Sequence, residues 1–310
     1  MATEYGVTEV AEAIDNAISS HRAESTISSY MRHLQLFLNW WNNSTLKGIP
    51  IPKARNLYLA HCSAQNRFKS MLAATAAFNF FLGKQQGPDK DVERSLLESA
   101  SRLQAPTRHR VKMTTQDYSA IISVGYNASE EPLVAIAALA VILFRGFLRI
   151  SEARSLTKAD VFIDGHTISL LVRRSKTDQT SQGTRVKFCL ESSYMEFALF
   201  TKHLSIVQNT DNVFLFPSHS TKLPLTLSTI TDRLTNLFHM AGLGSKGYTT
   251  HSFRGGAASA ALEQGIDGNR IMAMGRWKSA KGFQSYIEPT PIPISVPFSQ
   301  TGSAHNCNEV

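Results

Sequence analysis

Gly146-Phe147-Leu148-Arg149-Ile150-Ser151-Glu152 closes the most apolar stretch of the chain, Pro132 to Leu148, and sets a guanidinium at its edge. A segment apolar on nearly every side fits a helix buried at the centre of a domain. Gly146 interrupts that helix just before Arg149. An arginine beside such a core needs a partner, and Glu152, three residues on, is one candidate. Arg145 breaks the apolar stretch, which also falls short of the ~20 residues that a membrane-spanning helix needs, so no membrane is expected as a partner.

Outward from this point the periodicity changes. Ile168, Leu170 and Val172 alternate with other residues, as do Val186, Phe188 and Leu190, and the polar stretch Ser175 to Gly183 lies between them. This predicts a β-hairpin with a long basic loop carrying Arg173, Arg174 and Lys176. Helical spacing resumes at Ser192–Ile206, Leu227–Met240 and Arg254–Gln264. On the other side, Thr114 or Thr115 is placed to cap a helix running through Val124.

The first hundred residues read as helices. In Ser25 to Trp41 the side chains of Tyr30, Leu34, Phe37, Leu38 and Trp41 recur at helical spacing, with Ser25 or Thr26 as the cap. A second stretch, Phe68 to Leu82, stops near Gly83 and Gln85–Pro88. Between Arg102 and Lys112 basic residues crowd around Pro106, and no acidic residue occurs between Glu98 and Asp117. Arg108, Arg110 and Lys112 there form either a solvated linker or a grip on phosphates. The last 22 residues, Pro289 to Val310, hold four prolines and no strong periodicity, which predicts a tail that is extended until it meets a partner. The expected fold is therefore mainly α with a small β-hairpin or sheet (α+β). It divides into a helical domain at 1–105, a basic linker at 106–114, a second domain at 115–288 and a proline-rich tail at 289–310.

The bulk numbers agree. A chain of 310 residues has room for two domains, and 43% hydrophobic with 18% charged residues is a globular balance. The net charge of +8 and pI near 9.4 favour polyanionic partners. Cys62, Cys189 and Cys307 are odd in number and far apart, which suits neither a disulfide framework nor a zinc site and points to a reducing, intracellular compartment. Met1 to Ala11 carries two glutamates and no apolar core of a secretory signal. No Gly-rich phosphate loop and no acidic metal-binding cluster is visible.

Five further positions could carry chemistry. His251 and Arg254, in His251-Ser252-Phe253-Arg254, would lie a turn apart on one face if they open a helix. The small residues Gly255 to Ala260 after them permit close approach of a backbone or a ligand. Trp277 sits in Gly275-Arg276-Trp277-Lys278-Ser279, Tyr286 in Gln284-Ser285-Tyr286-Ile287, and Lys176 in the hairpin loop. Taken singly, each has a plain structural reading: a chance His-x-x-Arg, two packing aromatics, a solvated lysine. Arg149 with Glu152 reads equally as an ion pair that pins a helix start.

The set and its order are more specific. Lys176 falls 27 residues after Arg149, Trp277 falls 23 after Arg254, and Tyr286 falls nine after Trp277. In residues and spacing, from about Thr115 to Glu288, this resembles the catalytic domain of the tyrosine recombinase (phage integrase) superfamily, to which lambda integrase and Cre belong. The Gly-Arg-Trp-Lys-Ser string also resembles recombinases of eukaryotic mobile elements such as cryptons. The helical N-terminal part is similar, less specifically, to the family's DNA-clamping core-binding domain. Trp277 stands where histidine is commoner in the family; both offer a ring N–H.

The resemblance implies a site-specific DNA recombinase, or integrase, that needs neither cofactor nor metal. Arg149 and Arg254 would neutralise the non-bridging oxygens of the scissile phosphate, with Glu152 in support. Trp277 would donate its indole N–H, and His251 would orient the phosphate or accept the tyrosine proton. Lys176 would protonate the leaving 5′ oxygen. Tyr286 would attack and form a 3′-phosphotyrosyl bond. Implied partners are double-stranded DNA carrying a specific recombination site and three further copies of the chain. Those copies would make a homo-tetramer that exchanges strands through a Holliday junction, from a monomer or dimer when free. The implied place of action is intracellular, at DNA. Two rival readings share much of this: a type IB topoisomerase or telomere resolvase, and a recombinase-derived DNA-binding protein that no longer cleaves.

Overall fold

The computed structural model describes residues 24–45, 48–104, 111–173, 175, 183–190 and 195–287. The chain divides into two compact units, Met1–Arg108 and His109–Val310.

Four helices make the first unit: α1 (Glu24–Asn42), α2 (Ile51–Ala64), α3 (Phe68–Phe81) and α4 (Gly87–Leu103). Phe37 of α1 is fully buried and packs its ring against Tyr58 and Phe78, at centroid separations of 5.5 and 4.9 Å. The other apolar positions read from α1, namely Tyr30, Leu34, Leu38 and Trp41, are partly buried around it. The core also holds a polar network. Arg55 donates to the Gly83 carbonyl at 2.8 Å, to Asn79 Oδ1 at 2.9 Å and to Glu93 Oε2 at 3.1 Å, and Gln85 donates to Asn56 Oδ1 and Glu93 Oε2. Each side chain of this network thereby finds a partner that fixes which helix faces meet. Pro88 does not merely follow α3. It stands in the first turn of α4, where a missing N–H costs nothing.

The second unit is built round α6 (Glu131–Arg145), whose residues Ile136 to Leu143 are fully buried. Before it runs α5 (Thr115–Asn127), capped by Thr114, whose Oγ1 accepts the Asp117 N–H at 3.1 Å. Gly125 of α5 meets Ala137 so closely that a Cβ would overlap it, which is why the two helices can touch there. After the short α7 (Ile150–Arg154) comes an antiparallel sheet in the order β1 (Val161–Asp164), β2 (Thr167–Val172), β3 (Thr184–Cys189). Ile168 pairs with Phe188 and Leu170 with Val186, so the alternating apolar residues share the buried face. The hairpin follows the expected alternation, and β1 adds a third strand that sequence periodicity did not show.

The remaining helices are α8 (Met195–Gln208), α9 (Leu227–Met240), α10 (Thr250–Glu263), α11 (Gly268–Gly275) and α12 (Ala280–Gln284). The α10 helix begins four residues before the expected Arg254, because Thr249 and Ser252 cap one another's backbone. Met113, expected in the linker, is buried in the core of this unit, and its N–H bonds the Ser252 carbonyl at 3.1 Å. Residues 106–110 of that linker and the tail from 289 onward lie outside the described residues. The architecture is mainly helical with one small sheet, as the sequence predicts. Among the described residues no helix is long and apolar enough to cross a membrane, and no group of three His, Cys, Asp or Glu side chains could hold a metal ion.

Candidate active site

Arg149 is the N-cap of α7, and Glu152 is that helix's third residue. The Glu152 carboxylate turns back on the cap. Its Oε2 accepts the Arg149 backbone N–H at 2.9 Å and its Oε1 accepts Arg149 Nη1 at 2.7 Å. The partner proposed from sequence is therefore the one in place. A second guanidinium reaches the same carboxylate: Arg276 Nη2 lies 2.7 Å from Glu152 Oε2. Arg276 also donates to the carbonyls of Met274, at 3.2 Å, and Phe147, at 3.3 Å.

Arg254, on α10, is only 1% exposed. It donates to the carbonyls of Phe147 and Gly275, and its Cζ lies 4.1 Å from the centre of the Trp277 ring and 5.5 Å from that of Tyr286. The Phe147 carbonyl thus serves two arginines at once. Both Phe147 (φ 49°) and Arg276 (φ 58°) adopt the left-handed conformation, which costs a residue with a Cβ about 1–2 kcal/mol. The surrounding hydrogen bonds hold them there.

Trp277 packs edge-on against Phe147, Phe283 and Tyr286, with centroids 6.1, 5.2 and 5.3 Å away. Its indole lies over Gly275, where a Cβ would overlap the ring. Tyr286 follows α12, and its N–H bonds the Phe283 carbonyl at 2.8 Å. The peptide after it is held by Lys112, whose Nζ donates to the Ile287 carbonyl at 2.6 Å. Gly255 makes room for this arrangement: a Cβ there would sit 3.0 Å from Lys112 Cγ and 3.1 Å from the Tyr286 carbonyl. His251 occupies the first turn of α10, half-buried, one turn before Arg254. The loop leading into α10 is fixed from behind, where Tyr248 Oη donates to the Asp117 carboxylate.

The electrostatics are one-sided. Three guanidiniums, Arg149, Arg254 and Arg276, face a single carboxylate, Glu152, so the described cluster carries three positive charges against one negative, a net of +2. Burial would raise the Glu152 carboxyl, but the Arg276 charge, then the hydrogen bonds and charge of Arg149, outweigh it and hold the group below its ordinary value. Burial first, then the charges of Arg149 and Arg276, lowers the pKa of Arg254. The cationic form is being penalised, and an anion would relieve that penalty. Three buried N–H donors, Arg254 Nε, Arg276 Nε and Trp277 Nε1, find no hydrogen-bond partner among the described residues. A site short of negative charge, with spare donors on Arg254 and Trp277, is suited to an oxyanion of the size of phosphate.

The structure thus brings together Arg149, Glu152, Arg254, Trp277 and Tyr286, with His251 one turn away on α10. Lys176 and Arg174 of the hairpin loop, and Arg108 and Arg110 of the basic strip, lie outside the described residues. Arg173 is 62% exposed and bonds Asp160 Oδ1 at 2.7 Å. Two features escaped sequence reasoning: Arg276 as a member of the cluster, and Lys112 as a brace for the segment after Tyr286. The only sequence signal for Arg276 is its place between Gly275 and Trp277.

The phage integrase family model matches residues 111–291, more than half of the chain. No curated protein matches. Several solved structures share the fold at low identity. The XerH site-specific recombinase, bound to a palindromic difH substrate in a post-cleavage complex, aligns with a TM-score of 0.61 at 14% identity, over 84% of this chain and 75% of that one. The Tn1549 transposon integrase in complex with circular intermediate DNA gives 0.59 at 15% identity, over 87% and 91%. A lambda integrase dimer bound to a COC′ core site gives 0.55 at 16% identity, over 92% and 97%. With this cluster of arginines, tryptophan and tyrosine set on that fold, the chain belongs to the phage integrase family, the tyrosine recombinases.

Proposed function

We propose that this recombinase cuts and rejoins duplex DNA at a specific site, with Tyr286 as nucleophile. The observation that carries the reading is the buried net charge of +2 beside the Tyr286 ring. A phosphodiester resists attack because its non-bridging oxygens share a negative charge. Arg149 and Arg254 would neutralise that charge and the further charge of the transition state, and Trp277 Nε1 would add a neutral donor. Tyr286 Oη attacks phosphorus, its proton passing to His251 or solvent. The P–O5′ bond breaks, and Lys176 protonates the departing 5′ oxygen, leaving a 3′-phosphotyrosyl link. The link conserves the energy of the broken bond, so religation by an incoming 5′ hydroxyl needs no other energy source.

Recombination by this route would use two cleavage rounds and a Holliday junction within a tetramer on DNA. The solved relatives that carry DNA support the choice of partner. The test is a nicked suicide duplex, whose core is selected from random duplexes by binding to the full chain. Wild type should accumulate a covalent adduct and Tyr286→Phe none, while both bind the duplex equally. An adduct with the phenylalanine variant would remove Tyr286 from the role. Binding without any wild-type adduct would favour the non-cleaving reading, and relaxation of plasmid without site preference would favour the topoisomerase.

A further inference from the structure

Resting on that reading, we infer that Arg276 is a positioning residue of the phosphate site: by occupying the buried Glu152 carboxylate it leaves the charge of Arg149 available to the scissile phosphate. The alternative is easy to draw. Without Arg276, Arg149 and Glu152 would be a closed ion pair, and a carboxylate neutralising its only cation would withhold that cation from an incoming anion. With Arg276 present the carboxylate is shared. Its Oε1 takes Arg149 Nη1, and its Oε2 takes the Arg149 backbone N–H and Arg276 Nη2.

Arg276 is placed to act through Glu152 and not on the phosphate itself. Its guanidinium is spent on that carboxylate, 2.7 Å away, and on the Met274 and Phe147 carbonyls, whereas Arg254 bonds only backbone carbonyls and lies over the Trp277 and Tyr286 rings. Arg149, its side chain 16% exposed against 8%, is the more open of the two guanidiniums on this carboxylate. The backbone points the same way. Position 276 closes α11 in the left-handed conformation, which glycine would adopt without strain, and the residue there is an arginine whose side chain returns to a carboxylate 124 positions earlier. A plain loop-closing residue has no need of that charge.

The experiment compares Arg276→Gly, Arg276→Lys, Glu152→Gln and the double variant Arg276→Gly/Glu152→Gln in the full chain. Affinity for the selected duplex is measured separately from the single-turnover rate of adduct formation in the preformed complex. Arg276→Gly suits the backbone and removes the charge. It should bind DNA within about threefold of wild type and cleave at least tenfold more slowly. Arg276→Lys keeps the charge and should recover most of that loss. The neutral amide introduced by Glu152→Gln has no negative charge to withhold Arg149. The double variant should therefore cleave no more slowly than Glu152→Gln alone and faster than Arg276→Gly.

Three results would overturn the inference: wild-type cleavage by Arg276→Gly, a lysine variant as slow as the glycine one, or a double variant whose loss is the product of the two single losses. The last would mean that Arg276 only holds the loop. Should the glycine variant fail to fold, as thermal unfolding would show, Arg276→Asn, which also lacks the charge and tolerates the left-handed backbone, takes its place in the single and double comparisons. If wild type itself forms no adduct, the parent reading fails and the inference falls with it. If wild type cleaves and Arg276→Gly keeps pace, only the inference fails.

Discussion

Replacing Trp277 with phenylalanine separates what the indole contributes to the resting protein from what it contributes to cleavage. In the free protein Nε1 is buried without a hydrogen-bond partner among the described residues, and an unsatisfied buried donor costs about 1–3 kcal/mol. Phenylalanine removes that donor and leaves a ring that can still cover Arg254, now 4.1 Å below the indole. Against the relief stands a smaller ring in contact with Phe147, Phe283 and Tyr286, a loss of about 1–3 kcal/mol by the scale of large-to-small core changes. The two effects nearly cancel, so unfolding in urea should place Trp277→Phe within about 1 kcal/mol of wild type. Cleavage should behave differently. A hydrogen bond to a charged group contributes about 1.5–3 kcal/mol. If Nε1 donates to the phosphate in the transition state, adduct formation in the preformed complex should slow by about 10- to 150-fold. Trp277→His, which restores a ring N–H, should regain part of the rate. A phenylalanine variant that cleaves as fast as wild type would refute the donor role, and one destabilised by more than about 3 kcal/mol would show that the indole serves packing first.

Lys112→Ala removes the brace on the Ile287 carbonyl and should slow adduct formation several-fold while barely changing affinity; unchanged rates would mean that Tyr286 is held by its other contacts. Because Lys112 is engaged with its own chain, replacing Arg108, Arg110 and Lys112 together with alanine should flatten the slope of log affinity against log salt by about 1.8 and not 2.7, at about 0.9 per phosphate contact. Gly256→Ala would drive a Cβ into the Met113 backbone carbonyl, and it should destabilise the second unit by about 3 kcal/mol or prevent its folding, as calorimetry would show. The Glu152 carboxyl sits below its ordinary value in the folded state, so its stabilisation is present at neutral pH and is lost as pH falls from about 4 through the folded value. Wild type should accordingly be more stable than Glu152→Gln at pH 6, and the difference should shrink at pH 3; a constant difference would mean that charge is not its source.

Where sequence was readable, it was so because one force dominated locally. The apolar stretch from Pro132 could only be a buried helix, and alternation at Ile168, Leu170 and Val172 could only bury one face of a strand. The α9 helix runs from Leu227 to Met240 as its spacing predicts, with Ile230, Leu234 and Leu237 buried on one side. The α2 helix was opaque for the opposite reason. Its buried positions include Arg55 and Asn56, whose partners lie on other elements, and no periodicity announces a buried arginine. Strand β1 is four residues long with Phe162, Ile163 and Asp164 exposed, so it has no apolar face to read. The site divides in the same way. Arg149, His251, Arg254, Trp277 and Tyr286 were legible as an ordered set. The role of Arg276 depends on a left-handed backbone and on a carboxylate far away in sequence, neither of which a linear reading contains.

The small sheet has a bearing on how the protein behaves in a crowded solution. Among the described residues β1 and β3 are both outer strands, and an outer strand is a template on which another chain can add itself, the first step toward aggregation. Here each side discourages recruitment. On β1 the exposed Phe162 is covered by the Arg185 guanidinium, 4.7 Å from its ring centre, and the strand ends after four residues at Asp164. On β3 the solvent-facing positions include Arg185 and Lys187, so an incoming strand would meet positive charge. The same cationic surface that suits a polyanionic partner keeps copies of the chain from zipping together, and exchanging Arg185 or Lys187 for apolar residues would lower solubility without touching the active site.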